Sequence, residues 1–143
     1  MNLRQDFFNR DIIEQSLARS TVLKLNDEEL PVLADLLGLG APDDGGRVGQ
    51  LLERFALEWV VLTRGERGAT VAGRTGRASA RPEPVQVRDT VGAGDAFTAV
   101  TAMGLLAGCE LNALVAHACR VAAYVCSQDG AVPPLPSDLC RLP

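Results

Sequence analysis

The chain has 143 residues, 47 % of them apolar and 22 % charged, with a formal net charge of −4. That length and composition fit one globular domain and exclude a disordered segment. The acidic balance, without a basic stripe, excludes a general nucleic-acid binder but leaves small anions open to backbone amides and single arginines.

Helical and strand signals alternate along the chain. Residues 9–19 carry Ile12, Ile13, Leu17 and Ala18 at helical spacing, and TVLKL at 21–25 reads as a short strand. Asn26 then caps a helix running to about Leu37, with Glu29 at the capping-box position, and Gly38 and Gly40 stop it. APDDGG at 41–46 reads as a loop, and 47–57 as a helix with Leu51, Leu52 and Phe55 on one side.

WVVLT at 59–63 is almost wholly apolar, the pattern of a parallel strand buried on both faces. Residues 70–72 and 85–87 are predicted as short strands joined by GRTGRASARPEP, with helices over 95–106 and 110–127 and a proline-rich VPPLP after them. The order implies an α/β fold with a parallel sheet. The chain opens on MNLRQDFF with no strand in front, which reads as the middle of a domain.

Residues 1–10 are polar and lack the apolar segment of a signal peptide, and the longest apolar run, 96–107, is too short and glycine-interrupted to span a bilayer. Cys109, Cys119, Cys126 and Cys140 form no C-x-x-C pair. Cys119 and Cys126, seven apart, share a helix face, which favours core packing over metal binding. These features predict a cytoplasmic protein without membrane or nucleic-acid partners.

The chemistry concentrates in RDTVGAGDAFT at 88–98. Gly92 and Gly94 permit a tight turn with close backbone approach, and a helix starting there adds unpaired amides and a positive dipole end. Such a turn is an anion site, and Asp95 behind it is placed to accept a proton from a hydroxyl near the anion. Amides around a moving phosphoryl and a carboxylate for the acceptor suit phosphoryl transfer. The same residues read equally as Asp95 merely capping a helix whose glycines serve close packing. No G-x-x-x-x-G-K-[ST] occurs, so a P-loop is excluded.

DTVGAGDAFTA closely resembles the signature of the ribokinase-like, or PfkB-type, carbohydrate kinases. KLNDEE at 24–29 resembles that family's N-x-x-E element, LTRGERGA at 62–69 its T-x-G-x-x-G nucleotide segment, and MNLR its N-x-R. The wording is nearest to fructokinase-like members. The resemblance implies a three-layer Rossmann-like ribokinase fold, truncated to the C-terminal nucleotide-binding half with a partial parallel sheet. Residues 1–143 would be a single partial domain lacking the N-terminal half and its β-sheet lid, where the family recognises sugar.

It further implies ATP-dependent phosphorylation of a sugar hydroxyl, with Mg2+ and a potassium-like cation as cofactors. Asp95 would be the base, and Gly92, Ala93 and Gly94 the anion hole. Thr63, Gly65, Gly68 and His117 would line the nucleotide, and Asn26 and Glu29 would organise metal and phosphates. Asp89 would serve the monovalent cation and Arg4 a phosphate. Blander readings stand beside these: Asn26 and Glu29 as a capping box alone, His117 as a packed residue, Arg4 as a solvated charge. A half sheet would expose edges and apolar faces, predicting self-association or a partner chain. The alternative reading is an inactive nucleotide-binding or assembly module.

Overall fold

The computed structural model describes residues 8–143. The elements run α1 (Arg10–Leu17), β1 (Val22–Asn26), α2 (Glu29–Leu37), α3 (Asp44–Arg54), β2 (Trp59–Thr63), a 3-10 turn at Gly65–Arg67, β3 (Ala69–Gly73), β4 (Arg77–Ala80), α4 (Ala93–Ala107) and α5 (Leu111–Cys126). The four strands form one sheet in the order β1-β2-β3-β4. β1 and β2 pair in parallel, with Val22 opposite Trp59 and Asn26 opposite Thr63. This is an α/β architecture with a parallel strand pair, as the alternation of helix and strand signals implies.

Two compact units make up the chain, the first running to Arg64 and including Val71–Arg77, the second comprising Gly65–Thr70 and Ala78–Pro143. In the first, Ile13, Leu17, Leu23, Leu25, Leu30, Leu33, Leu37, Leu51, Leu57, Val60 and Leu62 are buried in one core. Helices α1, α2 and α3 lend their apolar stripes to it, while β1 and β2 lend alternate residues. Pro31 sits in the first turn of α2, where its missing N–H costs no helical bond.

The second unit is built on α4 against α5. Phe97, Thr101 and Gly104 of α4 are buried, as are Leu114, Val115, Ala118, Cys119, Val121 and Val125 of α5. Gly104 is glycine because a Cβ there would run into the Leu114 side chain, so the two helices meet at van der Waals distance. On its other side α4 exposes Met103 and Leu106.

Three sequence expectations are corrected. Residues 85–87 are not a strand: Val85 and Val87 are exposed and the backbone from 81 to 87 is irregular. The strand lies instead inside the Arg- and Gly-rich segment, at Arg77–Ala80, where Ala78 is buried and Ser79 Oγ lies 2.9 Å from Thr70 Oγ1. Finally, α3 begins within the expected loop. Asp43 caps it by accepting from the Gly46 N–H at 2.8 Å, and that cap outweighs the low helix propensity of Gly45 and Gly46.

Candidate active site

In the first unit, the end of β1 and the start of α2 carry Asn26 and Glu29. Asn26 Oδ1 accepts from the N–H groups of Glu28 (3.1 Å) and Glu29 (2.7 Å), and Glu29 Oε2 accepts from the Asn26 N–H at 2.8 Å. These are the reciprocal bonds of the capping box that the spacing predicts, closed on the turn just ahead of α2, whose own N-cap position is Glu28. Thr63 ends β2 next to it, in register with Asn26; its carbonyl accepts from the Asp27 N–H at 3.0 Å. The β1–α2 junction and the end of β2 are therefore fixed to one another by backbone bonds. Arg64 follows and pairs with Asp44 at 3.6 Å.

In the second unit, Gly65 and Gly68 bracket the 3-10 turn, and the Gly68 N–H donates to the Gly65 carbonyl at 3.0 Å. Gly68 has φ +88, and a Cβ on it would run into the Ala80 carbonyl of β4. Its identity is set by backbone geometry and close approach. Asp89 forms an Asx turn: its Oδ1 accepts from the Val91 N–H at 2.9 Å.

The glycines ahead of Asp95 differ from each other. Gly92 is the N-cap of α4 with φ +84, and a Cβ there would strike the backbone of Ala131. Gly94 has open space on its Cβ side, no positive φ, and an exposed position inside the helix. Neither packing nor backbone conformation accounts for glycine at 94, although it weakens a helix by about 1 kcal/mol relative to alanine. The N–H groups of Gly94 and Asp95 fall in the first turn, which an α-helix leaves without intrahelical partners. Asp95 itself is exposed in that turn.

His117 is buried in α5 at 6 % exposure, an environment that supports its packed reading. Cys119 is buried with all four cysteines free, and burial pushes its thiol up to about 11 against a smaller opposing effect of a hydrogen bond at Ala69. Cys126 is pushed up as well, first by burial and then by the Asp89 charge. Core packing, not metal binding, is thus the role that suits Cys119. Among the described residues no group of three or more His, Cys, Asp or Glu is placed to hold a metal ion. No helix there is long and apolar enough to cross a membrane. Arg4 lies outside the described residues.

The site residues thus fall into two groups: Asn26, Glu29 and Thr63 in the first unit, and Gly65, Gly68, Asp89, Gly92, Ala93, Gly94, Asp95 and His117 in the second. Sequence reasoning missed Ala131, whose carbonyl lies against Gly92, because a contact between residues about forty positions apart leaves no local signal.

The chain is similar to known proteins. The chain is 36 % identical over 113 residues to a fructokinase of Klebsiella pneumoniae, a match covering 75 % of this chain and 34 % of the enzyme. It is 32 % identical over 124 residues to the bifunctional protein HldE of Rhodopseudomonas palustris, covering 85 % of this chain and 25 % of that protein. Among solved structures, a putative ribokinase II from E. coli in complex with ATP and Mg2+ superposes with a TM-score of 0.74 at 20 % identity, over 85 % of this chain and 38 % of that one. The phosphofructokinase-2 of Escherichia coli in complex with potassium gives 0.72 at 23 %, over 85 % and 40 %. The chain spans about a third to a half of the length of the fructokinases it matches. A family model for the pfkB family of carbohydrate kinases matches residues 1–138, and this chain therefore belongs to the pfkB family of carbohydrate kinases.

Proposed function

We propose that the chain carries the phosphoryl-transfer portion of an ATP-dependent sugar kinase of fructokinase type, with Asp95 as the base. The observation that carries this reading is the state of the α4 start. A carboxylate and two first-turn amides stand exposed beside a glycine that no packing or backbone strain requires. In the proposed reaction Asp95 takes the proton of a sugar hydroxyl as that oxygen bonds to the terminal phosphorus of ATP. The bond from phosphorus to the bridging oxygen breaks and ADP leaves. The N–H groups around Gly92, Ala93 and Gly94 stabilise charge on the moving phosphoryl, acting where the charge develops.

Thr63, Gly65 and Gly68 would line the nucleotide with their backbone. His117, buried in α5, would meet the adenine only through the small part of its surface left exposed. Asn26 and Glu29 spend three hydrogen bonds on one another's backbone and on Glu28, so they fit a magnesium ion held chiefly by phosphates and water rather than a dedicated cage. When bound, that ion would neutralise phosphate charge. Asp89, fixed by its Asx turn, would offer a carboxylate to a monovalent cation. In this reading the sugar-recognising residues lie outside the 143 residues.

The test is calorimetric titration with ATP and magnesium, followed by a kinase assay across a panel of hexoses and pentoses with the Asp95→Asn variant. Saturable binding is expected. Asp95→Asn should keep that binding and lower turnover by about 10²–10⁴-fold, the usual contribution of a positioned base. Turnover that survives the substitution would remove Asp95 from the chemistry. A second reading, a non-catalytic nucleotide-binding module, is favoured by the closed Asn26–Glu29 box; ATP binding without turnover on any sugar, even with the sugar-recognising portion supplied in trans, would select it.

A further inference from the structure

Beyond the turn itself, the second unit contains a strap that ends on it. Segment 129–136, DGAVPPLP, leaves the C-terminus of α5 and runs back past the start of α4. Its Ala131 carbonyl occupies the space where a Gly92 side chain would be. Nearby, the N–H groups of Arg88 and Asp89 both donate to the Cys126 carbonyl at the end of α5, at 2.8 and 3.3 Å. The Arg88 guanidinium pairs with Asp129 at 3.1 Å, although both side chains are largely exposed and the pair is worth little by itself.

Farther along the strap, the Tyr124 hydroxyl donates to the Pro134 carbonyl at 3.1 Å. Pro133 and Pro134 have locked φ, so the chain between that anchor and the contact at Gly92 has few soft dihedrals. Beyond them, Arg120 pairs with Asp138 at 3.4 Å and Leu139 is buried. The strap is thus held by its buried end, leans on Gly92 near its start, and is tied between them to α5 by one hydroxyl. Gly92 in turn accepts from the Ala96 N–H at 2.9 Å, the bond that closes the first turn of α4. Asp95 sits inside that turn.

We infer that Tyr124 is a positioning residue: its hydroxyl, through the stiff Pro133–Pro134 link and Ala131, holds Gly92 and so sets the first turn of α4 that presents Asp95. This rests on the reading of that turn as the phosphoryl site. Tyr124 touches none of the reacting groups.

Tyr124→Phe removes the hydroxyl and keeps the ring. Two readouts separate positioning from plain stability. By NMR hydrogen exchange, the Ala96 amide should exchange about threefold faster in the variant, the modest scale of a single solvent-competed hydrogen bond, while amides inside α5 at Val115 and Ala118 keep their rates. By calorimetry, ATP with magnesium should bind about threefold more weakly at an unchanged thermal midpoint. Unchanged exchange at Ala96 would overturn the inference. So would a uniform acceleration through α5 with a lowered midpoint, since that is the mark of a merely stabilising residue. Failure of the unsubstituted protein to bind ATP would remove the phosphoryl-site reading, yet the exchange comparison would still decide whether Tyr124 holds the turn.

Discussion

The junctions at Asn26 and at Gly92 both lead into a helix, and they treat their polar groups in opposite ways. At β1–α2 the Asn26 and Glu29 side chains turn inward on their own backbone and satisfy its donors reciprocally. At the start of α4 the cap is a glycine without a side chain, two first-turn amides are uncapped, and Asp95 points to solvent. A helix start that closes its own donors gains stability, and one that leaves them open keeps them for a ligand. Open donors beside a carboxylate, at a position where alanine would fit, single out the second junction.

The comparison breaks most severely at Gly92. Gly92→Ala forces an L-residue into φ +84 and drives its Cβ into the Ala131 backbone. A loss of about 3 kcal/mol is expected in denaturant melts, combining left-handed strain with overpacking. A loss below 1 kcal/mol would mean the strap yields freely. The next effect probes the second unit by pH. Cys119 is lifted from 9.0 to about 11 by burial, so its neutral thiol favours the folded state. Because the folded value is the higher one, that stability is complete below about 9 and drains as pH rises towards 11. Stability should fall by roughly 2 kcal/mol across this window, and Cys119→Ala should flatten the fall.

At the closed junction, Asn26→Ala removes a cap that accepts two N–H groups, and about 1 kcal/mol should be lost by thermal unfolding. If affinity for ATP and magnesium then stays unchanged, the junction is structural only, and any metal role for Asn26 falls. The smallest expected effect has the opposite sign. Gly94→Ala meets nothing within 4 Å and should stabilise by about 0.5–1 kcal/mol, while weakening ATP binding if phosphate approaches that face. Stabilisation with full affinity would leave the glycine without a functional explanation.

Much of this architecture was legible from residues 8–143 alone. WVVLT announced β2 at its observed bounds, because five apolar residues between turn signals leave few other uses. The capping box at Asn26 and Glu29 was legible because it is built from residues three apart. The strand near the Arg- and Gly-rich segment was misplaced by several residues. Val85 and Val87 have the β-propensity, but Arg77–Ala80 has the pairing, and sheet neighbours outrank propensity. The start of α3 was missed because two glycines hid the Asp43 cap.

What the sequence by itself determined is local: alternation of helix and strand, the caps, and the glycine turn with its acid, since each depends on residues within a few positions. What only the tertiary structure decided is which glycine is spoken for. Gly92 and Gly94 look alike in VGAGDAF, yet one lies against Ala131 and the other faces open space. A backbone carbonyl delivered from forty residues away makes that distinction, and close packing between distant segments is what a local pattern does not encode.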